Sequence, residues 1–387
     1  MPKDSLKKFN NLKRETRGMI NIDPLQAGGI LTNEARQALV EWGDGFSVCD
    51  FCQGKLDEIK NPPIYDFVHQ ILPEFINADA VCLTNGAREG KFMIMNAIAK
   101  YGDFIIIDKN SHYTTYVAAE RAGLKIKIVE NSGYPEFKID ANKYEEAIKE
   151  IQKEKGNIAL LLLTYPDGNY GNLADAKKLA EIAKKYNIPF LLNTAYAIGR
   201  MPVNMEELGV DFVIASGHKS MASSGPIGFI GMKKEWENIL MKKSRYFPKK
   251  EIEALGCTAR GTVIMTLMAS FSKVSERIKQ WPEQVEKARW FSEEMEKLGL
   301  KQLGEKPHNH DLMFFESKKL FEISEKEKRG RYFLYQELKK NNIWGIKPGL
   351  TKNFKLSTFA VSKEELKKIL KTFEDILKLG TVPFLKN

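Results

Sequence analysis

The 387-residue chain has only four cysteines, Cys49, Cys52, Cys82 and Cys257, too few for a disulfide scaffold in so long a protein. No apolar run nears the roughly 18 residues that a membrane-crossing helix needs, and the opening stretch MPKDSLKKFNNLKRETRG holds no apolar core of a secretory signal. The expectation is a cytoplasmic protein with no membrane partner. Internal repeats, low-complexity tracts and the motifs of the common RNA-binding modules are all missing, and no arginine occurs beyond Arg331. What remains is an ordinary globular composition, 43% hydrophobic and 28% charged, able to form one large domain or a large and a small one. Sixty Lys+Arg against fifty Asp+Glu give a net charge of +10 and a pI near 9.1. That balance favours a polyanionic partner, although Lys- and Glu-rich surfaces of the hyperthermophile kind can be basic with no partner at all.

From about Asp79, the apolar runs FIIID, LKIKIVE, NIALLLLTY, IPFLLN, VDFVIAS and PIGFIGM alternate with helical stretches such as NLADAKKLAEIAKKYN. Fully apolar runs between amphipathic helices predict parallel strands covered on both faces, so residues 41–255 read as a large α/β domain. After Gly256 comes a long helical region, broken or kinked at Pro282, followed by DLMFFES, FKLSTFA and SKEELKKILKTFEDILK. Residues 256–387 therefore read as a connecting helix and a smaller α/β domain, with residues 1–40 packing beside it.

The stretch VIASGHKSMASSGPIGF sets Lys219 in a turn of small residues between two apolar strands. Such a turn is where a pyridoxal phosphate enzyme would hold its Schiff-base lysine. TNGAREG (Thr84 to Gly90) precedes a helix, and its free backbone N–H groups suit a phosphate. His112 lies just past FIIID, Asn169 past NIALLLLTY, and Asn193 and Tyr196 at the end of IPFLLN. Ligands of doubly wound sheets collect beyond the carboxyl ends of strands, where all these polar residues fall.

In this order, the motifs resemble the fold type I, aspartate aminotransferase-like, pyridoxal phosphate enzymes along nearly the whole chain. The resemblance implies a large, mostly parallel-sheet domain and a smaller C-terminal α/β domain, with pyridoxal 5′-phosphate as cofactor. It implies Lys219 as the Schiff-base lysine, His112 on the cofactor ring and Asn169 near its phenolic oxygen. Gly86, Ala87, Arg88, Ser216 and His218 would surround its phosphate. The segment ARGT, with Arg260, Gly261 and Thr262, resembles the stretch that reaches a neighbouring subunit's phosphate in cysteine desulfurase-like members, which implies a homodimer with shared sites.

Two departures from that pattern carry information. The aspartate usually placed opposite the pyridine nitrogen reads Asn193 here, with Asp211 and Asp175 as alternatives if the register differs. Losing that carboxylate removes roughly 1–3 pKa units of support for a pyridinium. The arginine that clamps a free carboxylate in a short Arg-x-Ser strand is replaced by Lys355, before Leu356 and Ser357, and a lysine lacks the bidentate fork. Both changes suit an aminoacyl ester on tRNA, which has no free carboxylate and whose carbonyl acidifies the Cα proton.

Cys49 and Cys52, with Cys257 in GCTARGT, resemble the archaeal O-phosphoseryl-tRNA:cysteinyl-tRNA synthase family, as do QAGGILT, NSHYTT and SGHKS. The resemblance implies β-replacement of phosphate by sulfur on tRNA(Cys) carrying phosphoserine. It also implies a sulfur donor and a phosphoseryl-tRNA synthetase as partners. Three thiolates suit either an iron–sulfur cluster or metal with one open position, or a persulfide relay, and the residues leave both open. Cys82, inside AVCLTN, reads as a buried core residue. Arg88 and Arg260 are candidates for the leaving phosphate or for the cofactor's own. The rival reading is a desulfurase acting on free cysteine.

Overall fold

The computed structural model describes residues 12–44, 49–50, 63–257 and 261–379. A short strand β1 (Ile20–Asn21) and helix α1 (Asn33–Glu41), capped by the Thr32 hydroxyl, precede the main sheet. That sheet has seven strands: β2 (Ala80–Thr84), β3 (Phe104–Asp108), β4 (Lys125–Val129), β5 (Ile158–Thr164), β6 (Phe190–Asn193), β7 (Phe212–Ile214) and β8 (Gly228–Met232). They lie in the order β2-β8-β7-β6-β5-β3-β4.

The period of two along each strand explains why the runs are apolar throughout. Ile106, Leu161, Leu163 and Leu192 enter the core on one face of the sheet, while Ile105, Ile107, Leu160, Leu162 and Leu191 enter the core on the other. Helices α2 (Ala87–Ile98), α3 (Tyr113–Arg121), α4 (Asn142–Lys153) and α5 (Ala176–Tyr186) fill the connections. The pairs β4–β3, β3–β5, β5–β6 and β6–β7 are parallel. PIGFIGM departs from the expectation, since β8 runs antiparallel to both β7 and β2. The link from β7 holds only the four-residue helix Gly217–Ser220, too little to carry the chain back across the sheet for a parallel return.

Beyond residue 260, α6 (Thr262–Arg277) passes through a 3₁₀ turn at Ile278–Gln280 into α7 (Trp281–Lys297). Pro282 stands in the first turn of α7, where its missing N–H costs nothing. The small domain carries the antiparallel strands β9 (Lys301–Leu303), β10 (Leu312–Glu316) and β12 (Asn353–Ser357), and a strand β11 (Ile343–Trp344) that pairs in parallel with β1. Ile22, just after β1, is fully buried in the small domain's core. No helix among the described residues is long and apolar enough to cross a membrane.

Candidate active site

The carboxyl ends of the parallel strands open on one cavity of about 340 Å³. Gly86, Ala87 and Arg88 line it from the start of α2, and His112 from the start of α3. Asn169, Asn193, Ser216, His218 and Lys219 complete its wall. One surface thus gathers residues that lie up to 133 positions apart in the chain.

Local geometry fits a phosphate-bearing planar group. Gly86 caps α2 at φ 97° with no side-chain cap, leaving the helix's first N–H groups toward the cavity. A Cβ at Gly86 would lie 3.1 Å from His218 Cε1, so glycine serves both the backbone angle and the approach. Ser216 is buried beside His218, whose Nδ1 lies 3.2 Å from the Ile227 carbonyl. Asn193 ends β6 inside the cavity. The alternatives are elsewhere: Asp211 pairs with Lys233 at the other end of the sheet, and Asp175 caps α5.

Lys219 is largely enclosed, its Nζ 4.8 Å from the centre of the Tyr196 ring. Burial first, then the cations Arg200, Arg88 and Lys355, lower its pKa from 10.5 to about 8. His112 is pushed down to about 4 by desolvation and by Lys219, Lys91, Lys355 and Arg88, which keeps it neutral. Asn169 sits on a loop held by Asp167, whose carboxylate accepts the backbone N–H groups of Asn169, Tyr170 and Asn172. Lys355 donates to the Gly168 carbonyl at 2.7 Å and lies 3.5 Å from Asn169 Oδ1, so the small domain reaches the same loop.

The lysine turn is braced by residues that sequence reasoning missed. Arg200 and Asp311, both fully buried, form an ion pair at 2.8 Å. Arg200 also donates to the carbonyls of Pro24, at 2.8 Å, and Lys219, at 3.2 Å. Arg277 donates to the carbonyls of Gly28, Gly199 and Ser220. Gly29 of QAGGILT abuts the turn so closely that a Cβ there would come within 1.9 Å of the His218 carbonyl oxygen. Two further misses, Lys91 and Lys347, also line the cavity. A helical lysine looks solvated in sequence, and the partners of Arg200 are scattered over nearly 290 residues.

Neither Cys49 nor Cys257 lines this cavity within one chain. Cys49 is buried against the large domain's core, and Cys257 lines a separate surface hollow, where Lys250 Nζ lies 3.1 Å from its sulfur. Cys82 is buried in β2, as its surroundings suggest. Cys52 and Arg260 lie outside the described residues. Thr262 begins α6 and donates to the Trp42 carbonyl of its own chain. Among the described residues, no three His, Cys, Asp or Glu side chains form a group suited to a metal ion.

Comparison with known proteins bears on this geometry. The family model described as O-phosphoseryl-tRNA(Sec) selenium transferase matches residues 44–378. The O-phospho-L-seryl-tRNA:Cys-tRNA synthase of Methanosarcina acetivorans is 57% identical over 97% of both chains. That of Methanocaldococcus jannaschii is 50% identical over 96% of this chain and 99% of its own. A crystal structure described as a SepCysS–SepCysE N-terminal domain complex superposes with a TM-score of 0.91 at 48% identity, over 97% of this chain and 99% of that one. A cysteine desulfurase from Thermococcus onnurineus NA1 shares the fold at TM-score 0.74 and 18% identity. The fold is that of the fold type I pyridoxal phosphate enzymes, and the chain belongs to the O-phosphoseryl-tRNA(Sec) selenium transferase family, on the branch of the O-phospho-L-seryl-tRNA:Cys-tRNA synthases.

Proposed function

We propose that this protein converts O-phosphoseryl-tRNA(Cys) to cysteinyl-tRNA(Cys), a pyridoxal phosphate-dependent β-replacement of phosphate by sulfur. The observation that carries the reading is the charge of the Lys219 cavity. Arg88, Lys91, Lys219, Lys347 and Lys355 line it, and among the described residues no carboxylate does. Such a cavity suits two phosphate groups, one on a cofactor and one on a substrate, while its C-terminal strand offers no guanidinium fork for a free carboxylate.

When bound, pyridoxal phosphate would supply an electron sink for the charge that forms at the substrate's Cα. Lys219 would hold it, with the open start of α2, Ser216 and His218 around its phosphate, His112 against its ring, and Asn169 and Asn193 at its edge. With its pKa lowered to about 8, Lys219 is about one-tenth neutral at pH 7, far more than a free lysine, so its Nζ can accept the Cα proton and later return it. Arg88, with Lys347 and Lys355 across the cavity, can receive the phosphate that leaves Cβ with the electron pair of the broken C–O bond. Sulfide then forms the new C–S bond at Cβ.

Cys49, Cys52 and Cys257 are the candidates for presenting that sulfur. Cys49 and Cys257 do not line the cavity in one chain, so we assign delivery to a homodimer in which one subunit's cysteines serve the other's Lys219. Those two thiols do not make a closed cluster site, and no step here depends on one. The net charge of +10 suits the tRNA backbone, and a phosphoseryl-tRNA synthetase would supply the charged substrate.

An anaerobic assay with phosphoseryl-tRNA and sulfide, run beside free phosphoserine and free cysteine, tests the reading. Cysteinyl-tRNA from the charged tRNA alone is the expected product. Sulfide released from free cysteine, with no product on tRNA, would make the protein a desulfurase.

A further inference from the structure

Lys91 is a lysine in an unusual place. It stands on α2 one turn past Arg88, is 2% exposed, and has no carboxylate within ion-pair distance among the described residues. Burying an unpaired amine is costly, and desolvation lowers its pKa to about 7. Its Nζ donates to the Thr114 hydroxyl at 2.7 Å and to the Thr115 hydroxyl at 3.0 Å. The ammonium and the neutral amine both have the two N–H groups this requires.

The next link fixes direction. Thr114 Oγ1 lies 2.9 Å from His112 Nδ1. That oxygen accepts from Lys91 and still has both a proton to give to the imidazole and a lone pair to accept with, so the ring's other neighbour sets the direction. The Thr114 backbone N–H, which can only donate, points at the same Nδ1 from 3.3 Å, making His112 the cap of α3. Two donors aimed at one ring nitrogen leave it no proton, so the proton of the neutral ring sits on Nε2, which has no protein partner among the described residues.

We infer that Lys91 is a positioning residue that acts through Thr114 to lock His112 as its neutral Nε2–H tautomer, presenting an uncharged hydrogen-bond donor to whatever occupies the cavity. The inference rests on the proposed function only in taking this cavity as the active site. His112 could stack on a flat ring in any protonation state, but only this one gives a directed N–H without adding another positive charge. A protonated His112 would add its charge beside Lys219 and Arg88 and oppose protonation of the lysine.

The test is ¹⁵N-histidine NMR of the full-length protein, with the His112 signals assigned by their loss in His112→Gln. The expected spectrum has a pyridine-like Nδ1 and a protonated Nε2 that persist to well below pH 6. In Lys91→Met and in Thr114→Val, these signals should move toward mixed tautomers, while Thr114→Ser, which keeps the hydroxyl, should retain the wild-type pattern. A proton on Nδ1 in the wild type would overturn the inference, as would a Lys91→Met spectrum identical to it. The spectra require no turnover, so the tautomer can be established or refuted whatever the assay on tRNA shows.

Discussion

The Lys219 cavity and the cysteine segments are both chemical centres, yet the fold treats them differently. Lys219, His112, Asn169 and Asn193 stand at or just beyond the ends of parallel strands, so the sheet's hydrogen-bond ladder sets their separations. Cys49 and Cys257 lie on irregular segments outside that ladder, one packed inward and one on a surface hollow. A reacting Cα needs its base placed within fractions of an ångström. A sulfur carrier needs to reach the same atom, load, and withdraw, which suits a loop and a second subunit better than a strand end.

The first way to break this contrast is to remove the base. Lys219→Ala should lower cysteinyl-tRNA formation by on the order of 10³-fold or more, because proton transfer and cofactor attachment are lost together. Borohydride treatment should fix cofactor onto the wild type and not onto the variant. Normal turnover in the variant would place the chemistry on another residue.

A mixture of variants sharpens it. Cys257→Ser alone should stop product formation while leaving cofactor on Lys219. Remixing equal amounts of Lys219→Ala and Cys257→Ser subunits should restore about a quarter of wild-type activity, since half the dimers are mixed and each has one intact site. Recovery no greater than the sum of the separate variants would place Lys219 and Cys257 of one site in the same chain.

How much of this was legible differs between the two regions for physical reasons. FIIID and ALLLLT announce themselves as buried strands because both faces are covered, so every position must be apolar. The direction of β8 was not visible, because an apolar run looks alike whichever way it points. Gly86, Arg88, His112, Asn169, Asn193 and Lys219 fell beside strand ends and could be found one by one. The braces around them could not, because Arg200 meets Pro24 and Asp311, 176 and 111 positions away. Lys91 hid in KFMIMNAIAK, where a single lysine reads as the solvated face of an amphipathic helix.

Those braces give the next prediction. Arg200→Met leaves the Asp311 carboxylate buried without its cation and frees the Lys219 carbonyl, and breaking a buried pair of this kind costs about 3–5 kcal/mol. Urea unfolding of the cofactor-free protein should show that loss. A change below about 1 kcal/mol, within the range of an exposed pair, would mean that the arginine does not hold the turn.

The last effect concerns Lys91 and, unlike the others, is read through its dependence on pH. Its pKa is about 7 in the folded protein, lowered first by burial and then by Lys219, against 10.5 for the unfolded chain. Between those values the unfolded state binds more protons, so this lysine's penalty is full below about pH 7 and fades as pH rises toward 10.5. Lys91→Met removes the penalty. The variant should therefore exceed the wild type in stability most at pH 6 to 7, and the gap should close as the buffer approaches pH 10. A gap that stayed constant with pH would show that Lys91 keeps its charge in the fold, through a partner stronger than two threonine hydroxyls. A closing gap would instead identify a residue whose burial weakens the protein and whose retention serves the cavity it faces.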